Sequence, residues 1–204
     1  MLTIYGNLQS RTSRCLWALE ELGLAYRREP LVAASEQTRT EDYLALNPSG
    51  KVPTLVDGDF VLTESVAITY YLASKAPNSL WPTTPQALAR VFQWSNWAAT
   101  DLELPLSAIM REMRRSTVAG TPPDQDVIGT ALSTAAATLG SLETYLAKGP
   151  QFIAGDDFTV GDINTAVSVS FVAPRVDMAV YPATKAWLER SFSRPAWQRV
   201  QANG

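Results

Sequence analysis

The chain has 204 residues, 46% of them apolar, enough to fill the core of one large domain or two small ones. Its 17 basic and 20 acidic side chains leave a net charge of -3, and the chain lacks the basic stripe that nucleic-acid binding requires. A single cysteine forbids an internal disulfide, and the absence of histidine excludes Ser-His-Asp and Cys-His schemes and removes the commonest zinc ligand.

The first residues, MLTIYG, read directly as a strand, with no apolar leader ahead of them and no long apolar run elsewhere, so a cytoplasmic protein with no membrane partner is expected. Leu16, Leu19 and Leu22 then recur at helical spacing until Gly23 stops the run. Tyr26 to Val32 reads as a second strand and Glu41 to Leu46 as a short helix. In KVPTLVDGDFVLTES, two β-rich runs flank Asp57-Gly58, the turn chemistry of a hairpin. A helix over Ser65 to Lys75 closes a β-α-β-α-β-β-α order, a thioredoxin-like arrangement with a mixed sheet.

Pro77, Pro82 and Pro85 argue for a linker over 77–86, between a first domain at 1–76 and a second at 87–204. Beyond it Thr84 can cap a helix with Pro85 in its first turn. Trp94, Trp97, Leu102, Leu106, Ile109 and Met113 continue the apolar pattern as one long helix, kinked by Pro105. A second helix carries Val127, Ala131, Ala135, Leu139 and Leu142. In DFTVGDI, Thr159 and Asp162 form a capping box, with Phe158 and Ile163 at the flanking positions of a hydrophobic staple. Helices around Thr184 to Phe192 and after Pro195 complete an all-helical second domain.

Ser10, Thr12 and Ser13 crowd the point where the first strand becomes a helix. A hydroxyl there lies beside unsatisfied backbone N–H groups and the positive helix end, a setting that stabilises an anion such as a thiolate; helix capping uses the same geometry. Val52-Pro53 invites a cis peptide, in which Val52 would present its backbone N–H and C=O to a peptide-like ligand. Glu64-Ser65 opens another helix, whose hydroxyl and N–H groups suit a carboxylate.

Taken together, YGNLQSRTSRCLWALEELGLAY, NPSGKVPTL, LTESVAITYYLA and FTVGDI resemble the cytosolic glutathione transferases, of bacterial type with a serine-type active site, over essentially the whole length. The resemblance implies an α/β thioredoxin-like N-terminal domain that binds glutathione, followed by an all-α C-terminal helical bundle with a hydrophobic pocket for the second substrate. Ser10 resembles the catalytic hydroxyl that donates to the glutathione sulfur, with Thr12 and Ser13 as rivals. Val52, before Pro53, resembles the residue that pairs with the cysteinyl backbone. Glu64 and Ser65 resemble the pair that holds the γ-glutamyl end. Lys51, with Thr38 or Arg39, resembles the groups near the glycyl carboxylate.

Candidates for the second-substrate pocket are Asn7, Trp97, Asp101, Met110, Met113 and Arg114, where core packing competes for the tryptophan and methionines and a solvated charged face for the arginine. Cys15, inside the first helix, reads as a buried structural thiol; were it reactive, the chain would resemble the thiol-exchange subgroup. The implied activity is conjugation of the glutathione thiolate to small electrophilic, largely apolar compounds by a homodimer, with glutathione as co-substrate and no metal. The alternatives are a glutathione-dependent isomerase, reductase or dehalogenase, or a non-catalytic binding protein on the same fold.

Overall fold

In the computed structural model, which describes residues 1–75 and 77–203, the chain forms two compact units: Met1–Pro82 together with Phe192–Gly204, and Thr83–Ser191. The expected end of the first domain, Ala76, lies outside the described residues. Of the expected 87–204 helical domain, the stretch from Phe192 onward groups with the first unit.

The first unit follows the order read from sequence: β1 (Leu2–Tyr5), α1 (Thr12–Leu22), β2 (Tyr26–Glu29), a 3-10 turn (Glu36–Arg39), α2 (Glu41–Leu46), β3 (Thr54–Asp57), β4 (Phe60–Thr63) and α3 (Ser65–Ser74). Strand β2 stops three residues short of the expected Val32, since Pro30 cannot donate to a ladder. The sheet order is β2-β1-β3-β4, with β1 parallel to β2 and antiparallel to β3, and β3 antiparallel to β4. Register then does something specific. Tyr5 pairs with Thr54 and Thr54 with Thr63, so the chain leaves β1, enters β3 and leaves β4 at one end of the sheet.

The C-terminal segment locks onto α1. Trp17, fully buried, stacks on Phe192 at 5.2 Å between ring centroids and meets Trp197 at 4.8 Å. Around these rings Arg194 donates twice to the Glu21 carboxylate, at 2.6 and 2.8 Å, and Arg199 donates to Glu20 at 2.8 Å. Helix α9 (Pro195–Ala202) is thus fastened to α1 by an aromatic cluster and two ion pairs.

In the second unit, α4 (Pro85–Trp97) starts as expected, with the Thr84 hydroxyl accepting from the Ala87 N–H. Its continuation differs from the sequence reading. The break is a π-helical segment at Ala98–Leu102, after which α5 (Glu103–Ala119) begins. Pro105 has no N–H for the carbonyl one turn back, and the helix widens just before it, with the Glu103 N–H reaching the Ala98 carbonyl. Helix α5 packs on α6 (Gln125–Leu146), and α4 on α7 (Val160–Val172), which is buried along most of its length. The Thr159–Asp162 capping box forms, and α8 (Pro182–Phe192) follows. One strand-like contact, the bridge between Phe152 and Gly155, interrupts the helical pattern.

Candidate active site

The three chain segments that meet at one end of the sheet carry the residues picked out for chemistry. Leaving β1, the backbone passes Gly6 at φ +132°, where a Cβ would lie 2.0 Å from the Thr12 hydroxyl oxygen; only glycine allows the turn to close over Thr12. The turn ends at Ser10. Its hydroxyl lies 2.8 Å from both the Asn7 carbonyl and Thr12 Oγ1, and accepts from the Thr12 N–H at 3.2 Å. Thr12 and Ser13 are buried, and Ser13 donates to the Ser10 carbonyl at 2.9 Å. Among the three rival hydroxyls, Ser10 alone is half-exposed.

Entering β3, the Val52–Pro53 peptide bond is cis. Its flanks are held by a buried network that the sequence reading missed. Tyr43 Oη and Asn47 Nδ2 both donate to the Lys51 carbonyl, at 2.5 and 2.8 Å, and both reach Thr54 Oγ1, at 2.9 and 3.0 Å. The Asn47 Oδ1 in turn accepts from the N–H and hydroxyl of Ser49. Residues 51 and 54 are therefore clamped on either side of the Val52–Pro53 pair.

Leaving β4, Glu64 adopts φ +68°, a left-handed conformation costly for a residue with a side chain, and Ser65 begins α3. Beneath it lies another residue that the sequence reading missed. Arg14, in the first turn of α1 and 1% exposed, donates to Ser65 Oγ at 2.9 Å. A buried guanidinium next to the N-terminus of a ten-residue helix makes this corner favourable for a carboxylate. The signal available in sequence was an arginine inside an apolar helical run, RCLWAL, but its partner is 51 residues away.

Other expected contacts sort differently. Thr38 is fully buried and donates its hydroxyl proton to the Ser35 carbonyl at 2.9 Å, within the 3-10 turn. Arg39 and Lys51 are exposed, and Arg39 lies over Gly50, where a Cβ would meet its Nη1 at 2.5 Å. Asn7 belongs to the Ser10 turn, and its Oδ1 is buried without a hydrogen-bond partner among the described residues.

In the helical unit, Trp97 and Asp101 line a cavity of about 550 Å³ together with Trp94 and Tyr145. Asp101 also lines a groove of about 730 Å³ between α5 and α6. Met110, Met113 and Arg114 line neither; all three are exposed on α5, Met110 by 62%, so neither the core nor these cavities takes them. No group of three or more metal-ligating side chains occurs among the described residues, and no helix is long and apolar enough to cross a membrane.

Cys15 lies directly below the site, its Sγ 3.8 Å from the Ser65 carbonyl. Complete burial pushes its thiol up to about 12, against a smaller opposing pull from the charge of Arg14. The folded protein should therefore resist a thiol-alkylating reagent at neutral pH and react only on unfolding, measured by mass spectrometry with and without denaturant.

Residues 1–74 match the family of the glutathione S-transferase N-terminal domain, and residues 85–190 match its C-terminal domain. The chain belongs to the glutathione transferase family. It is 33% identical to glutathione S-transferase 3 of Zea mays, over 98% of this chain and 93% of the maize protein. A theta-class glutathione S-transferase from Xanthomonas axonopodis pv. citri with glutathione bound superposes with a TM-score of 0.85, at 32% identity over 97% of this chain and 95% of that one. Glutathione S-transferase I from maize, in complex with an atrazine–glutathione conjugate, gives 0.82 at 32% identity over 98% and 96%.

Proposed function

We propose that this transferase binds glutathione where the Ser10 turn, the Val52–Pro53 loop and the start of α3 converge, and adds its sulfur to small, largely apolar electrophiles. The observation that carries this is the shared register, which brings a half-exposed hydroxyl, a clamped backbone edge and a cationic helix start to one end of the sheet.

Each part has a distinct task. The γ-glutamyl carboxylate sits against the Ser65 hydroxyl and the N–H groups of α3, with Arg14 beneath, and Glu64 faces the γ-glutamyl ammonium. The cysteinyl backbone pairs with the N–H and C=O of Val52. Lys51 and Arg39, both exposed, attract the glycyl carboxylate. Ser10 donates to the sulfur. An unperturbed thiol with pKa near 8.5 is only a few per cent ionised at neutral pH, so lowering it by about two units raises the reactive fraction to tens of per cent. That shift is worth roughly 2.7 kcal/mol, within reach of one charge-assisted hydrogen bond plus a helix terminus.

The thiol proton leaves to solvent, and the sulfur lone pair forms the new C–S bond. The electrophile expels a leaving group with its bonding electrons, or takes up a proton if it is an activated alkene. Bound glutathione and an atrazine conjugate in the two structural relatives support this direction of chemistry. The family likeness supports a homodimer, and a lone buried thiol is compatible with the cytoplasm.

Calorimetry with glutathione and conjugation of a chlorodinitrobenzene test the proposal together. Wild type should bind glutathione and release chloride in step with conjugate. Ser65→Ala should raise the KM for glutathione about tenfold while kcat changes little, because the lost hydrogen bond acts on the distant carboxylate. Absence of glutathione binding in the wild type would refute the assignment.

A further inference from the structure

We propose that Thr12 is a positioning residue for sulfur activation, acting through Ser10 and never touching the substrate; the inference rests on the reading of Ser10 as the donor to the glutathione sulfur. Two oxygens lie within reach of the single Ser10 hydroxyl proton, the Asn7 carbonyl and Thr12 Oγ1, each at 2.8 Å. A bound thiolate is a third acceptor and a charged one, so the proton turns to it. Ser10 Oγ then keeps its lone pairs, one of them already facing the Thr12 N–H at 3.2 Å.

The Thr12 hydroxyl completes the arrangement by reversing its role. With the Ser10 proton on sulfur, Thr12 Oγ1 donates its own proton to Ser10 Oγ along the same 2.8 Å line. Two donors then feed one oxygen, and hydrogen bonds in a chain polarise one another, which makes the Ser10 proton a stronger donor to sulfur. Neither hydroxyl is deprotonated; the proton lost is that of the glutathione thiol, and it goes to solvent.

Two observations keep Thr12 itself away from the sulfur. Its side chain is fully buried, and the Gly6 backbone closes over it so tightly that a single added carbon would strike its hydroxyl. The Ser10-Arg11-Thr12-Ser13 run thus contains one reporting hydroxyl and one buried supporter, while Ser13 is occupied with the Ser10 carbonyl.

The test is a pH titration of the ultraviolet thiolate absorbance of glutathione bound to the full chain, for wild type, Thr12→Val, Thr12→Ser and Ser10→Ala. Kinetics and thermal unfolding are followed in parallel. Thr12→Val, nearly isosteric, should raise the ionisation midpoint enough to lower kcat at neutral pH about three- to tenfold, with the KM for glutathione moved less than about twofold. Thr12→Ser should restore the wild-type midpoint. In a Ser10→Ala background Thr12→Val should produce no further shift. If Thr12→Val does not fold, Thr12→Ala takes its place, with the same expected shift. An unmoved midpoint in the apolar variant, or equal shifts in the valine and serine variants, would overturn the role of Thr12. If Ser10→Ala itself leaves the midpoint in place, the reading of Ser10 is what fails.

Discussion

Asp162→Ala should unfold with a loss of about 4 kcal/mol, the largest effect expected from any single change outside the active site. The carboxylate is completely buried and collects four donors: the Ile153 N–H and the Trp187 indole N–H on Oδ1, and the Thr159 N–H and hydroxyl on Oδ2, all within 3.1 Å. It therefore ties the turn before α7, the start of α7 and the middle of α8 to one group. Alanine leaves three buried N–H groups without an acceptor, each carrying its own desolvation cost. Asparagine should rescue poorly, because its NH₂ would have to face an N–H donor on one side or the other. Chemical denaturation of the three proteins measures the difference.

The same carboxyl gives a pH signature. Burial pushes it up to about 6, against the pull of the Ile153, Trp187 and Thr159 donors. Because the folded value exceeds the unfolded one, the folded state binds the proton more tightly between the two. The proton-linked part of its contribution to stability is present on the acid side and lost as pH rises through about 6. The stability gap between wild type and Asp162→Ala should accordingly widen from about pH 7 to about pH 5.

Ser10→Ala should lower kcat about a hundredfold at neutral pH while glutathione affinity stays within a few-fold of wild type. In the proposed binding mode the hydroxyl acts on the sulfur, whereas affinity comes from the two ends of the tripeptide and from the Val52 edge. The deficit should shrink as pH approaches the ordinary thiol range, where glutathione ionises without help. Stopped-flow conjugation rates across pH check this. A deficit constant at every pH would mean that Ser10 does something other than stabilise the thiolate.

Much of this was legible in the sequence. Local chemistry announces itself locally: Asp57-Gly58 for the hairpin, Thr159 and Asp162 for the capping box, Thr84-Pro85 for the start of α4, Glu64-Ser65 for the start of α3. The concealed features depend on distant partners or on phase. Arg14 looks like any helical arginine until β-strand register brings Ser65 to it. Tyr43, Asn47 and Thr54 read as ordinary α2 and β3 residues until they meet at the Lys51 carbonyl. The π-helical segment before α5 adds a residue to one turn, which rotates everything after it by about 100° relative to a continuous helix. Glu112 and Ser116 are buried on α5, while Met113, which continues the Trp94 and Trp97 pattern in the sequence, is exposed.

The fastening of α9 to α1 has a consequence for biosynthesis. Trp17 emerges from the ribosome early, yet the rings that cover it, Phe192 and Trp197, are translated only after the whole helical unit. Until Phe192 and Trp197 have been synthesised, the thioredoxin-like half lacks the rings that cover this indole, and its packing is completed only when they follow.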